Sequence, residues 1–183
     1  MGKCLRELKI EDAEHMLEWI RDSETSKVFR FDAANMDRDR IHEFINNCRN
    51  DEAFRHFAIV DRQDEYMGTI SLKNIDLQAM KAEYAIVLRK RARGTGLAKK
   101  ATMELLTFAF QELELLRVYL NVLSTNNQAI RFYQKLGFVQ EGEFKDHVYV
   151  GEEIQSLKWF RMMKDEYIKC LANDEENSRE NQE

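Results

Sequence analysis

Glu83-Tyr84-Ala85-Ile86-Val87-Leu88 leads through Arg89-Lys90 into Arg91-Ala92-Arg93-Gly94-Thr95-Gly96-Leu97, an apolar stretch followed by a basic, glycine-punctuated turn. The apolar run predicts a strand. From Gly96 onward Leu97, Ala101, Leu105, Phe108, Ala109 and Leu113 recur at three- and four-residue intervals, which predicts an amphipathic helix over Gly96 to Leu116. Strand, glycine turn and helix start together make an anion site. The first helical turn has N–H groups without partners and a positive dipole end, and Gly94 and Gly96 let a ligand approach the backbone closely. Arg89, Lys90, Arg91, Arg93, Lys99 and Lys100 lie in this segment with no acidic residue among them, in a chain whose formal net charge is −5. The positive charge is therefore local, which suits a small polyanion better than a long nucleic acid. The plainer reading of the same residues is a solvated basic face and a turn.

Working outward, Lys3 to Ile10 reads as a strand, followed by a helix opening at Glu11-Asp12 with Met16, Leu17 and Ile20 on one face. A second helix is expected over Asp37 to Cys48. Phe57 to Val60 and Met67 to Leu72, joined by the polar turn Asp61 to Glu65, read as a hairpin, and Glu83 to Leu88 as its neighbour. Val118 to Leu123 is a buried strand, and Asn126 to Leu136 a helix stopped by Gly137. Phe138 to Met163 alternates as two antiparallel strands around Val150-Gly151-Glu152. The pieces predict one α/β domain, a single mixed, mostly antiparallel twisted sheet of about seven strands with helices on both faces, over residues 1–169. Residues 170–183, polar and largely acidic, read as a disordered tail.

Composition sets the outer limits. At 183 residues there is room for one core of ordinary size. The 44% apolar and 33% charged fractions describe a soluble globular protein, and no apolar run nears the roughly 18 residues of a membrane span. The amino terminus shows no signal-peptide pattern, so the expected location is the cytoplasm. Cys4, Cys48 and Cys170 are far apart and read as ordinary thiols, and His15, His42, His56 and His147 form no cluster, so no metal is expected.

Two segments resemble the signatures of the GCN5-related N-acetyltransferases, which move an acetyl group from acetyl-CoA to an amine. The first is Arg91-Ala92-Arg93-Gly94-Thr95-Gly96. The second is Asn126-Asn127-Gln128-Ala129-Ile130-Arg131-Phe132-Tyr133-Gln134-Lys135-Leu136-Gly137-Phe138. They stand in the right order, about thirty residues apart across a helix and a strand. The resemblance implies that the pyrophosphate of coenzyme A fills the turn at Arg91 to Gly96, held mostly by backbone amides from Arg93 to Ala98, with Arg91, Arg93, Gly94, Thr95, Gly96, Leu97 and Ala98 around it. It further implies that the strand at Glu83 to Leu88 splays from that at Val118 to Leu123, and that Ile86, Val87 and Leu88 line the pantetheine arm. Asn126 is an N-cap by its residue type, and the family adds a cofactor contact there and at Ala129.

By the same resemblance Tyr133 donates to the departing thiolate and Glu83 is the candidate base, although many members deprotonate the amine through water. Packing on the helix face is the plain alternative for Tyr133, and a solvated strand position that for Glu83. The acceptor is expected to be a small-molecule amine, polyamine-like or an amino sugar, since the segment from Arg89 to Phe138 looks closest to the ribosomal-protein and spermidine acetyltransferase branch. Phe29, Arg30 and Asp32 are the candidate acceptor residues. The amino terminus of a peptide and a non-catalytic acyl-CoA-binding module are the alternatives. No nucleic acid or membrane partner is expected, and members of this type often form homodimers.

Overall fold

The computed structural model describes residues 3–22, 35–48 and 51–180, with side chains through residue 172. One sheet of seven strands runs in the order β1-β2-β3-β4-β5-β7-β6. The strands are β1 (Leu5–Glu7), β2 (Arg55–Val60), β3 (Tyr66–Asp76), β4 (Lys81–Leu88), β5 (Arg117–Leu123), β6 (Val139–Val150) and β7 (Glu153–Met163). All neighbours are antiparallel except β4 and β5. That one parallel pair requires a crossover, and helix α3 (Leu97–Thr107) supplies it.

Helices cover both faces. On one, α3, α4 (Asn127–Lys135) and Tyr167 of α5 (Lys164–Glu180) bury Leu105, Leu106, Phe110, Val118, Leu120 and Phe160. On the other, α1 (Ala13–Ile20) and α2 (Arg38–Asn47) close over Ala58, Val60, Tyr66 and Val87. The expected α/β architecture is therefore the observed one.

Three boundaries differ, each for a local reason. β1 is shorter than Lys3 to Ile10, because Asp12 is buried and gathers both Arg6 Nη atoms (2.7 and 2.9 Å) and the Lys9 N–H (2.8 Å), turning the chain into a short 3-10 turn at Ile10–Asp12. The crossover helix leaves α-geometry after Thr107 and passes through a wide turn at Phe108–Glu112, which seats fully buried Phe110 against Tyr167 at 5.2 Å. The backbone past residue 170, expected to be disordered, continues as α5 to Glu180. No glycine or proline interrupts Lys164–Glu180, and Asp165 and Glu166 in its first turn favour the dipole's positive end.

On β2, His56 places Nδ1 2.7 Å from Ser71 Oγ, with Phe44 edge-on at 4.9 Å and Phe54 stacked at 5.9 Å. Burial, then the Lys73 cation, pulls its pKa from 6.5 to about 4. Between those values the unfolded chain takes up a proton that the fold refuses, so stability falls as pH drops through that window. Unfolding temperatures measured from pH 7 to 4 should decline in the wild type and decline less in His56→Gln. Parallel curves would count against this account.

Candidate active site

β4 and β5 pair over only three positions, Lys81↔Arg117, Ala82↔Val118 and Glu83↔Tyr119. Beyond that point β4 follows β3 as far as Gly68↔Leu88, while β5 follows β7 as far as Leu123↔Leu157. The two strands part like a fork, and the facing edges of Tyr84 to Leu88 and Leu120 to Leu123 have no ladder between them. Backbone amides and carbonyls along such an edge want partners, and an extended ligand can provide them. Side chains leave that edge clear: Ile86 and Leu88 turn to the α3 side of the sheet, and Val87 is buried under α1 and α2.

At the far end of β4, a 3-10 turn at Lys90–Ala92 leads to Gly94 (φ +77°) and Gly96 (φ +81°), and α3 begins at Leu97. Both glycines hold left-handed backbone that other residues resist. A Cβ added at either would meet nothing within 4 Å, so the space over the turn is open. Thr95 Oγ1 donates to Ala92 O at 2.7 Å and fixes the turn from beneath. The first intrahelical bond is Lys100 N–H to Gly96 O at 3.2 Å. The amides of Leu97 and Ala98 thus precede the ladder, the Leu97 N–H making a 3.4 Å contact with Thr95 Oγ1. Amides, a positive helix end and open space fit a phosphate group.

The basic run is not the free patch that its sequence suggests. Arg89 is only 6% exposed and donates to Glu65 Oε1 (2.9 Å), Tyr66 O (2.8 Å) and Glu18 Oε2 (2.6 Å). Lys90 pairs with Asp22 at 2.9 Å and Arg91 with Glu65 at 2.7 Å. These acids belong to α1, the residues just after it and the β2–β3 turn, so three of the six cations brace the turn against the rest of the fold. Arg89, Lys90 and Arg91 are therefore engaged within the fold, while the backbone over the turn faces open space.

Beside the fork on the α3 side, Tyr84 donates its hydroxyl to Thr102 Oγ1 at 2.8 Å, and Thr102 donates to Ala98 O at 2.8 Å. Tyr133 of α4 stands edge-on to Tyr84, with ring centroids 5.9 Å apart at 89°. It is 8% exposed, and burial pushes its phenol well above the ordinary value. Its rings touch Phe132, Phe138 and Phe160 as well, and its hydroxyl makes no hydrogen bond among the described residues. Asn126 caps α4, its Oδ1 accepting from Ala129 N–H at 3.1 Å, and the Ala129 side chain packs on the core.

Glu83, the last paired residue before the fork, lies on the opposite face of the sheet. Its carboxylate accepts from Lys73 Nζ (3.1 Å), Asn74 Nδ2 (3.0 Å) and Asn121 Nδ2 (3.4 Å). Tyr119 beside it has its phenol pKa raised, by burial first and by the Glu83 charge second. Tyr84, Asn121, Tyr119 and the brace around Arg89 escaped sequence reasoning, because each matters through partners distant along the chain. Phe29, Arg30 and Asp32 lie outside the described residues. Among the described residues no cluster of His, Cys, Asp and Glu is arranged to hold a metal, and no helix is long and apolar enough to cross a membrane.

A family model described as an acetyltransferase (GNAT) domain matches residues 4–139. The chain is 28% identical over 130 residues to the spermidine N(1)-acetyltransferase of Vibrio cholerae, covering 71% of this chain and 75% of that protein. It is 28% identical over 166 residues to an uncharacterized N-acetyltransferase, p20, of Bacillus licheniformis, covering 89% and 93%. Its fold matches the crystal structure of spermidine N-acetyltransferase from Vibrio cholerae in complex with CoA and spermine, with a TM-score of 0.83 at 24% identity over 90% of this chain and 96% of that one. Since the family match runs from the residue before β1 to the first residue of β6 and so encloses both the fork and the glycine turn, the chain belongs to the GNAT family of acetyltransferases.

Proposed function

We propose that the protein transfers an acetyl group from acetyl-CoA directly to the primary amine of a small molecule. The observation that carries this reading is the strand fork ending at Glu83↔Tyr119, continuous along β4 with an open cradle of amides at Gly94 to Ala98. Acetyl-CoA supplies the activated acyl group as a thioester. The cradle holds its pyrophosphate, and the unpaired edge from Tyr84 to Leu88 aligns its extended arm. Aminolysis then needs a neutral amine, donors for the developing oxyanion and a proton for the departing sulfur. The backbone N–H of Ile86, which alternation turns to the free edge of β4 while Val87 and Arg89 face β3, serves the oxyanion.

Tyr133 gives its proton to the sulfur on the α3 side. Its raised pKa keeps that proton on the phenol at neutral pH, and the hydroxyl has no competing partner among the described residues. Glu83, on the other face and oriented by Lys73, Asn74 and Asn121, takes the amine's proton directly or through a relaying water. Acid and proton acceptor thus act from opposite sides of the sheet, and the amine enters from the Glu83 face.

Free-thiol release from acetyl-CoA should require an added primary amine, and acetyl-CoA alone should leave the protein's mass unchanged. A stable acetyl-protein that hands its acyl group to the amine would replace direct transfer by a covalent route. Tight CoA binding without turnover on any amine would leave a binding module.

A further inference from the structure

The spermidine enzymes among the relatives bind polyamines, yet the face from which the amine approaches is built for something else. Tyr119 and Asn121 on β5 and Trp159 on β7 share this face with Glu83. Tyr119 and Trp159 stack with centroids 6.1 Å apart at 28°, and Phe144 of β6 leans on the indole at 5.3 Å. Directly opposite Trp159 on β6 is Gly142, where an added Cβ would meet nothing within 4 Å, so the indole has room beside it. None of the described helices covers this part of the sheet, since α1 and α2 close over β2, β3 and the Val87 end of β4.

The polar inventory of the face is one-sided. Among the described residues, the carboxylates around the Tyr119–Trp159 stack are paired with cations, Glu83 by Lys73 with Asn74 and Asn121, Glu141 by Arg117 and Arg161, and Glu166 by Arg161 with the Met163 N–H, while Asp76, at the Lys81 end of the face, accepts from the Ala79 N–H. What is left over is a donor. Trp159 Nε1 is buried and has no hydrogen-bond partner among the described residues, a condition that native structures seldom leave unanswered. A polyamine offers only N–H donors and positive charge, and so can satisfy neither the indole nor the arginines.

Resting on the transferase reading, we propose that this face selects a primary amine carrying a hydrogen-bond-accepting oxygen near the reacting nitrogen, with Trp159 Nε1–H donating to that oxygen and the Tyr119–Trp159 stack holding the carbon skeleton. Phe144, exposed on its strand, is the side chain that yields to admit it. Amino sugars and peptide amino termini share this chemistry, whereas spermidine lacks it.

Trp159→Phe keeps the ring and removes the N–H. Steady-state thiol release is to be compared for glucosamine, a Phe-Ala-Ala tripeptide and spermidine, in the wild type and the variant. One oxygen-bearing amine should exceed spermidine in kcat/KM by about tenfold, and identifies the source. The variant should raise KM for that amine by roughly fivefold to tenfold, with kcat and the spermidine reaction unchanged, the size of a lost hydrogen bond. Spermidine as the best acceptor, or an equal loss on every amine, overturns the proposal. Calorimetric titration of the same three amines into the CoA complex separates this from the transfer reading. Selective binding that Trp159→Phe weakens supports the wall even if nothing is acetylated, and absent or unselective binding removes it.

Discussion

Tyr133→Phe lowers thiol release from acetyl-CoA by about a hundredfold, the scale of a positioned general acid, while leaving the fold intact. The second half of that statement gives the first its force. The phenol's ring makes edge and tilted contacts with Tyr84, Phe132, Phe138 and Phe160, and phenylalanine keeps all of them. The oxygen that is deleted has no hydrogen bond among the described residues, so its removal leaves no stranded partner. A tyrosine that served only to pack would therefore lose almost nothing on this change.

The KM for acetyl-CoA should also hold, because the amide cradle lies on the β4–α3 turn and Tyr133 on α4. Burial has raised the phenol's pKa, so the loss in the variant should be the same at pH 7 and pH 9, the wild-type phenol remaining protonated at both. A variant rate within twofold of the wild type would assign Tyr133 to the core and move the acid role to water.

The parts of the site that could be read along the chain were those whose physics is local. The apolar run Glu83 to Leu88, two glycines with positive φ, and an asparagine that caps its own helix act within a few residues, and each stands where its pattern implied. The neutralisation of the basic run was not local. Arg89 meets Glu18 across 71 positions and Glu65 across 24, so a segment without one acidic residue is nonetheless paired in space. The fork itself follows from strand register: nothing in the apolar run announces that pairing with β5 stops at Glu83. The helix past residue 170 was hidden by composition, since polar, acidic residues can still continue a helix already nucleated at Lys164.

Gly68 was equally silent, and its substitution carries the largest expected cost in stability. Its φ is not left-handed, so backbone freedom is not the reason for glycine here. A Cβ at Gly68 would stand 2.2 Å from the Val87 carbonyl oxygen and 3.0 Å from Leu88 Cα, both backbone atoms of β4. Only a residue without a side chain lets β3 and β4 approach this closely. Gly68→Ala must push the two strands apart at Gly68↔Leu88, the end of β4 whose other edge borders the fork. Such overpacking costs about 3 kcal/mol, which for a chain of this size lowers the unfolding temperature by about 6–12 °C.

Because the displaced backbone is the edge that aligns the acyl donor, thiol release should fall together with stability, and the KM for acetyl-CoA should rise even well below the new unfolding temperature. Gly94→Ala is the informative control for stability. There φ is +77° and an added Cβ meets nothing, so only left-handed strain of about 1–2 kcal/mol is imposed. If Gly68→Ala unfolded within 2 °C of the wild type, β4 would have room to slide along β3, and a fixed β4 edge could not be what positions the ligand arm.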